Sequence, residues 1–272
     1  MSVVTIAHSA YSEGGAIANG VAARLNYRCV DREVLIEASN RYGIPEAKYT
    51  EILEAKGHWW ERWHESLRLY RITLQAAMCE MAQGGKLVYH GRAGQQLLAN
   101  IRHVVRVMIV APMEYRIHQV RAQRNLDPER ARQYLQELDR VRSRRFRALF
   151  NEDWQDPVGY DLVLNSARVP VDTAVALIAD TVERPEFQPN AESLKAFQDL
   201  TTTARVQAAL ITSSRTRNVV LTVKSDGGRV NISGILADPD LETEIVRVAK
   251  SVPGVTEVVT DIEPPPIEYM HP

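Results

Sequence analysis

The chain has 272 residues, 45% of them hydrophobic and 25% charged, the balance of an ordinary globular protein of about two domains. That excludes a collagen-like chain and one disordered throughout. A formal net charge of −1 excludes global attraction to nucleic acid or anionic membrane, although local patches can persist within it.

The two cysteines, Cys29 and Cys79, cannot build a disulfide framework or a four-cysteine metal site. They read as small buried apolar residues in a reducing compartment. Residues 1–8 reach a histidine before the apolar region of a secretion signal could form. Apolar runs such as residues 107–111 fall far short of the roughly 18–20 residues of a membrane helix. The expected location is cytoplasmic, with no membrane span.

In chain order, the β-branched run at residues 3–6 reads as a strand, and the small, polar run at 7–15 as a loop. Ile17, Val21 and Leu25 then recur at helical spacing. A short strand over 27–30 leads through Asp31, an N-cap candidate, into a helix carrying Val34, Leu35 and Ala38. Over 46–84, Trp60, Trp63, Leu67, Tyr70, Leu74 and Met78 recur every three or four residues, which predicts one or two long helices. Strands at 86–89 and 104–110, a helical stretch over 114–149, a strand at 160–164 and a helix at 171–182 follow. Strands alternating with helices predict an α/β fold: a parallel sheet with helices on both faces.

Two prolines within 184–190 mark a linker. A polar helix and a helical stretch at 205–210 come next. Residues 219–223 and 229–233 then flank Asp226-Gly-Gly228, a hairpin signal. A helix at 241–251 and a strand at 255–259 complete a small α+β module, α-β-β-α-β, of about sixty residues. The run from Pro264 to Pro266 reads as a disordered or polyproline tail. The expected division is 1–183, a linker and polar helix over 184–203, the small module over 204–263, and a tail over 264–272.

A strand, glycine loop and helix in succession can hold a phosphate, because free N–H groups and the helix dipole meet at the helix start. Ser12-Glu-Gly-Gly15 occupies that place. The full pattern GxxxxGK[ST] is absent, since no lysine follows the glycines. Ala16-Ile-Ala18 supplies neither an ammonium group nor a hydroxyl for Mg²⁺, and Glu13 would repel phosphate. By itself the loop is equally an ordinary strand–helix turn.

Further segments lie along the chain in a telling order: Tyr11-Ser-Glu-Gly-Gly15, Tyr27 with Asp31-Arg-Glu33, His90-Gly-Arg92, and Val107-Met-Ile-Val-Ala-Pro112 with Arg116. Asp139-Arg-Val-Arg142, Trp154 and Tyr160-Asp-Leu-Val-Leu-Asn165 complete them. With these, residues 3–182 resemble the cytidylate-kinase-like family of P-loop nucleoside monophosphate kinases. The resemblance implies a three-layer P-loop kinase fold, ATP with Mg²⁺ as cofactor and a pyrimidine nucleoside monophosphate such as CMP as acceptor. It places Ser12, Gly14, Gly15 and Arg116 on the donor phosphates, and Asp31 and Arg92 on the acceptor nucleotide. Arg140 and Arg142 would act with Arg92 in transfer, from a lid that also carries Arg116. Arginine suits such work because its planar fork pairs with phosphate oxygens and stays charged, and phosphoryl transfer needs positioning and charge neutralisation. The chain departs from the family at Ser9, Ser12, Glu13 and Ala16, where arginine, glycine, a small residue and a basic residue are usual.

From Arg102 to Arg147 there are twelve arginines, no lysine and five acidic residues, a local excess of positive charge. Arg130, Arg132, Arg144, Arg145 and Arg147 read mostly as a solvated, salt-bridged face. No motif or interleaved aromatic set supports nucleic acid as partner. The seven histidines form no metal pattern: His58 and His64 are not spaced to share a helix face. His90 lies at a strand end, as a nucleotide contact or a core histidine. Trp59, Trp60 and Trp63 read as packing residues or as the surface of a homo-oligomer.

Residues 205–262, through Val219-Val-Leu-Thr-Val223, Gly228-Arg-Val-Asn-Ile-Ser-Gly234 and Val252-Pro-Gly-Val-Thr-Glu-Val258, resemble a BON domain. That resemblance implies binding, often of membranes or ligands, and no catalysis. Three readings follow: a monophosphate kinase, a catalytically inactive nucleotide sensor signalling through its BON domain, or an assembly protein.

Overall fold

The structure, a computed structural model, describes residues 2–31, 33–45 and 60–265, without the side chains of 60–66. Its elements in chain order begin with β1 (Val3–His8), α1 (Gly14–Leu25), β2 (Arg28–Val30), α2 (Glu33–Tyr42), α3 (Trp60–Ala82) and β3 (Leu87–His90). Next come α4 (Gly94–Leu97), β4 (Val104–Val110), α5 (Met113–Arg124), α6 (Pro128–Phe150), β5 (Leu162–Asn165) and α7 (Val171–Val182). The last are α8 (Ala191–Thr212), β6 (Leu221–Asp226), β7 (Arg229–Ile235), α9 (Asp240–Lys250) and β8 (Glu257–Glu263).

Two compact units share these elements: Met1–Val34 with Met81–Ser193, and Leu35–Glu80 with Leu194–Pro272. Of the described residues, α2 beyond Val34 and α3 as far as Glu80 belong to the second of these units.

In the first unit five strands lie in the order β2-β3-β1-β4-β5, every neighbouring pair parallel. Side chains alternate across the sheet as the pleat requires. Val4, Ile6, Val105, Val107 and Ile109 turn to one face, where Ile17 and Val21 of α1 and Ala174 and Ile178 of α7 cover them. Ala7 and Met108 turn to the other face, against Phe146 of α6 and Trp154. Helices on both faces make the three layers of a P-loop kinase fold. The close approach of α1 and α7 needs Gly20, where an added Cβ would stand 2.6 Å from Val175 Cγ2.

The second unit carries the sheet β6-β7-β8, with β6 and β7 antiparallel and β7 and β8 parallel. Val206 and Leu210 of α8 and Ile245 and Val248 of α9 bury Val223, Val230 and Ile232. The Asp226–Arg229 turn closes where the hairpin signal placed it. Gly227 and Gly228 have φ of 58° and 90° there, values that glycine adopts at little cost.

Within this unit Glu80 of α3 takes both Nε and Nη2 of Arg205 on α8, with side-chain exposures of 11% and 21%. Hydrogen bonding to Arg205 holds the Glu80 carboxyl below its ordinary pKa. Its folded pKa therefore lies below its unfolded one, so the pair stabilises above the ordinary carboxylate range and that stability is lost as pH falls through the folded value. Glu80→Gln should cost about 1–2 kcal/mol at neutral pH. The gap from wild type should close below about pH 4 in urea titrations.

The structure adjusts several expected elements. The stretch 114–149 is two helices, because Asn125 ends α5 in the left-handed region (φ 52°). Asp127 then caps α6, accepting from the Arg130 N–H, with proline in the first turn. The two C-terminal helical stretches are one, α8, since residues 191–212 contain no glycine or proline to break it. Strand β8 runs to Glu263, later than expected, in register with β7 from Arg229↔Glu257 to Ile235↔Glu263. The cap of α2 falls where residue 32 lies outside the described residues, so the Asp31 cap is not tested; the Glu33 carboxylate accepts from the Asp31 N–H at 2.7 Å. Trp59, the side chains of Trp60 and Trp63, and Pro266 lie outside the described residues. No described helix is long and apolar enough to cross a membrane.

Candidate functional site

At the carboxyl edge of the sheet, where ligands gather in open α/β folds, β1 ends at His8 and β3 at His90. The two imidazoles stack, with centroids 4.4 Å apart and planes 16° from parallel. Both sit under the start of α1. A Cβ at Gly14 would stand 2.5 Å from His8 Cβ and Cγ, and one at Gly15 would stand 3.4 Å from His90 Cε1. Gly14 is thus required by the close approach of β1, and the space a side chain at position 15 would enter borders His90.

The loop between β1 and α1 is held by its own polar groups. Ser12 is fully buried, and its hydroxyl donates to the Ser9 carbonyl at 2.7 Å and to the Ile109 carbonyl at 3.3 Å. Its hydroxyl is thus engaged within the loop. Tyr11 and Glu13 both take positive φ, 61° and 58°, an uncommon backbone for such residues. Each has an anchor: the Tyr11 hydroxyl accepts from Arg124 Nε at 2.7 Å, and the Glu13 carboxylate accepts from the Tyr115 hydroxyl at 2.5 Å. Glu13 is thereby engaged by α5. The N–H groups of Gly14, Gly15 and Ala16 open α1, where no helix carbonyl lies four residues earlier to accept them.

The expected arginines separate into two sets. Arg116 is buried, with its two terminal nitrogens engaged by Asp139 at 3.1 and 2.8 Å and its Nε without a partner. Arg140 is 63% exposed and pairs with Glu137 one turn earlier on α6. The structure does not bring Arg140 to the cluster, because it lies on the outer face of its helix. Arg92 and Arg142 do converge. Arg92 Nε and Arg142 Nη1 are buried without a protein partner. Burial, then the neighbouring Arg142 charge, lowers the Arg92 pKa to about 10. Burial also lowers that of Arg142. Both remain cationic at neutral pH, and two desolvated like charges with orphaned donors are costly unless an anion joins them.

His8 and Asp31 complete the surroundings. His8 Nδ1 donates to the Ser9 carbonyl at 2.9 Å. Burial, then His90, Arg92 and Arg142, bring the His8 pKa down to about 3. Asp31, 61% exposed, places Oδ2 at 4.0 Å from His90 Nδ1. His8 and Tyr115 escaped the sequence reading, and Asp139 entered it only as the head of Asp139-Arg-Val-Arg142, with no role of its own. His8 had a usable signal, as the last residue of β1 before the glycine loop, whereas Tyr115, the partner of Glu13, had none.

A phosphate-binding loop holds Mg²⁺ through a hydroxyl in the first helical turn. Ala16 and Ile17 carry none, and that of Ser12 is engaged within the loop. These residues do not fit a loop-ligated Mg²⁺. The described residues also contain no group of three or more His, Cys, Asp or Glu able to hold a metal. The free N–H groups and the two orphaned guanidinium nitrogens do fit a phosphoryl oxygen anion.

The family model for the cytidylate kinase-like family matches residues 3–168, more than half of the chain. The chain belongs to that family. A BON domain follows at residues 198–264. Among curated relatives, a cytidylate kinase of Methanopyrus kandleri is 26% identical over 112 residues, covering 38% of this chain and 58% of the relative. A cytidylate kinase of Methanocaldococcus jannaschii is 26% identical over 106 residues, covering 38% of this chain and 60% of the relative. The chain thus spans about three fifths of the length of these relatives. A solved structure of an uncharacterized protein from Eubacterium ventriosum aligns with a TM-score of 0.52 at 18% identity, covering 67% of this chain and 98% of that one. That likeness concerns the fold alone.

Proposed function

We propose that the first unit binds a pyrimidine nucleoside monophosphate such as CMP, with Arg92 and Arg142 on its phosphate and Asp31 toward the nucleoside. In this reading binding, and not turnover of ATP, is the function, and the BON domain passes the signal to a partner. The observation that carries it is the pair of half-buried guanidinium groups, Arg92 and Arg142, each with one buried nitrogen that has no partner. The missing lysine and the engaged hydroxyl of Ser12 favour binding over catalysis.

Family membership favours a second reading, transfer of a phosphoryl group from ATP to the monophosphate, with Gly14 and Gly15 on the donor phosphates. Calorimetric titration with CMP and a coupled ATP-consumption assay with Mg²⁺ and each monophosphate separate the two. The expected result is CMP binding tighter than millimolar with no turnover above blank. Turnover would establish the second reading, and absence of binding by any nucleotide would remove both.

A further inference from the structure

We propose that the site takes up a proton together with its phosphate: His90 becomes an imidazolium when the anion arrives, and supplies the cation that Ala16 does not. This rests on the phosphate reading above and deepens it.

The geometry carries the argument. His90 stands at the end of β3 with its ring against the first turn of α1, 3.4 Å from where a Gly15 Cβ would lie. Its Nε2 is buried with no protein partner. Its Nδ1 is within 4.0 Å of the Asp31 carboxylate at the end of β2. An imidazolium there has a negative charge at each nitrogen: the Asp31 carboxylate 4.0 Å from Nδ1, and an incoming oxyanion at Nε2. On its second face lies His8, whose Nδ1 proton is already donated to the Ser9 carbonyl.

The charges around the ring explain why the anion is needed. Arg92, two residues along the chain, opposes protonation of His90, and Asp31 favours it. Arg142, from α6, acts on His8 and Arg92, and Asp139 from the same helix acts on Arg92. The opening turn of α1 brings no charged side chain, since Gly14, Gly15 and Ala16 carry none, and Glu13 is held by Tyr115. Without a ligand, burial, and after it Arg92, hold the His90 imidazole below its ordinary pKa against the opposing pull of Asp31. A phosphate dianion offsets both arginines, and the balance then shifts toward the imidazolium with the proton drawn from buffer. His8 stays neutral because its charge would be a fourth cation beside His90, Arg92 and Arg142. The affinity of the site for the dianion therefore rises as pH falls, while below about pH 6 protonation of the phosphate itself works against it.

The test is calorimetric titration of full-length wild type and His90→Gln with CMP, in two buffers of different ionisation enthalpy near pH 7. Wild type should take up close to one proton more per CMP than His90→Gln. The variant removes both the proton-dependent gain and the donor, and should bind about tenfold more weakly at pH 6.5. Between pH 6 and 8 the ratio of the two affinities should fall, by at most about tenfold per pH unit. Histidine-labelled wild type gives a readout that needs no variant: the His90 ring resonances should move to their imidazolium positions on adding sulfate, which does not itself titrate in this range. CMP binding with equal proton uptake in both proteins, or His90 resonances that stay neutral in bound wild type, would overturn this proposal and leave the phosphate reading standing. Failure of wild type to bind CMP at all would overturn both.

Discussion

Arg92→Ala is expected to weaken CMP binding about 100-fold, while Arg144→Ala leaves it within about twofold. Truncating one member of a desolvated, hydrogen-bonded charge pair costs roughly 2–5 kcal/mol, against about 1.4 kcal/mol per decade of affinity. Arg144, exposed on α6, gives the baseline for removing one surface charge, which solvent and salt screen. Misfolding would not imitate the effect. Arg92 is a strained cation in the free protein, beside Arg142 and away from water, so its removal should leave the ligand-free melting temperature unchanged or higher, as at other sites that trade stability for function. Arg92→Lys should recover part of the affinity, because it restores charge without the planar fork. Calorimetry and thermal melts on the same samples check all three. Equal losses for Arg92→Ala and Arg144→Ala would contradict the placement of the phosphate.

Trp154→Ala is expected to cost about 3–5 kcal/mol in urea unfolding, the range for removing a large buried aromatic. Trp154 is 1% exposed and packs with Ala7, Met108 and Phe146, while Val110, Phe150 and Tyr160 close the cluster. Its indole N–H donates to Ser143 Oγ at 3.1 Å, and its carbonyl accepts from the Tyr160 hydroxyl at 2.5 Å. The residue therefore joins α6 to the sheet face that ends at the pocket. Trp154→Phe keeps most of the apolar contact and loses the Ser143 bond, so about 1–2 kcal/mol is expected. Because Phe146 of α6 rests in the same cluster, the alanine variant should also loosen Arg142 and weaken CMP binding in protein that remains folded. A cost below about 1 kcal/mol for Trp154→Ala would show that this face is not packed as described.

The arginines of α6 show how much of the site could be read in advance. Arg140 and Arg142 are two residues apart, and on a helix such positions point to nearly opposite sides. Ala131, Leu135 and Phe146 are buried, and that stripe runs through Asp139 and Arg142. Arg140 falls with Glu137 and Arg144 on the outer side. The phase was present in the apolar spacing, but it required knowing that α6 starts afresh at Pro128. A helix drawn continuously from residue 114 hides that break at Asn125. Arg116 presents a different difficulty. Its sequence position matched a phosphate contact, yet Asp139, 23 residues away, engages its fork. No local pattern links the two.

The amino-acid order by itself determined the strand–loop–helix opening, the alternation that makes a parallel three-layer sheet, and the Asp226-Gly-Gly228 hairpin. These depend on interactions between residues a few positions apart: backbone conformation, capping and the period of apolar side chains. The family and the BON domain were legible for the same reason, as short motifs in a fixed order. Only the tertiary structure decided which cations meet at the pocket. His8, Asp31, His90, Arg92 and Arg142 come from distant parts of the chain, and the parallel sheet stacks the strand ends that bring the first four together while α6 supplies the last. Their charges act through a desolvated space that exists only once those elements have packed.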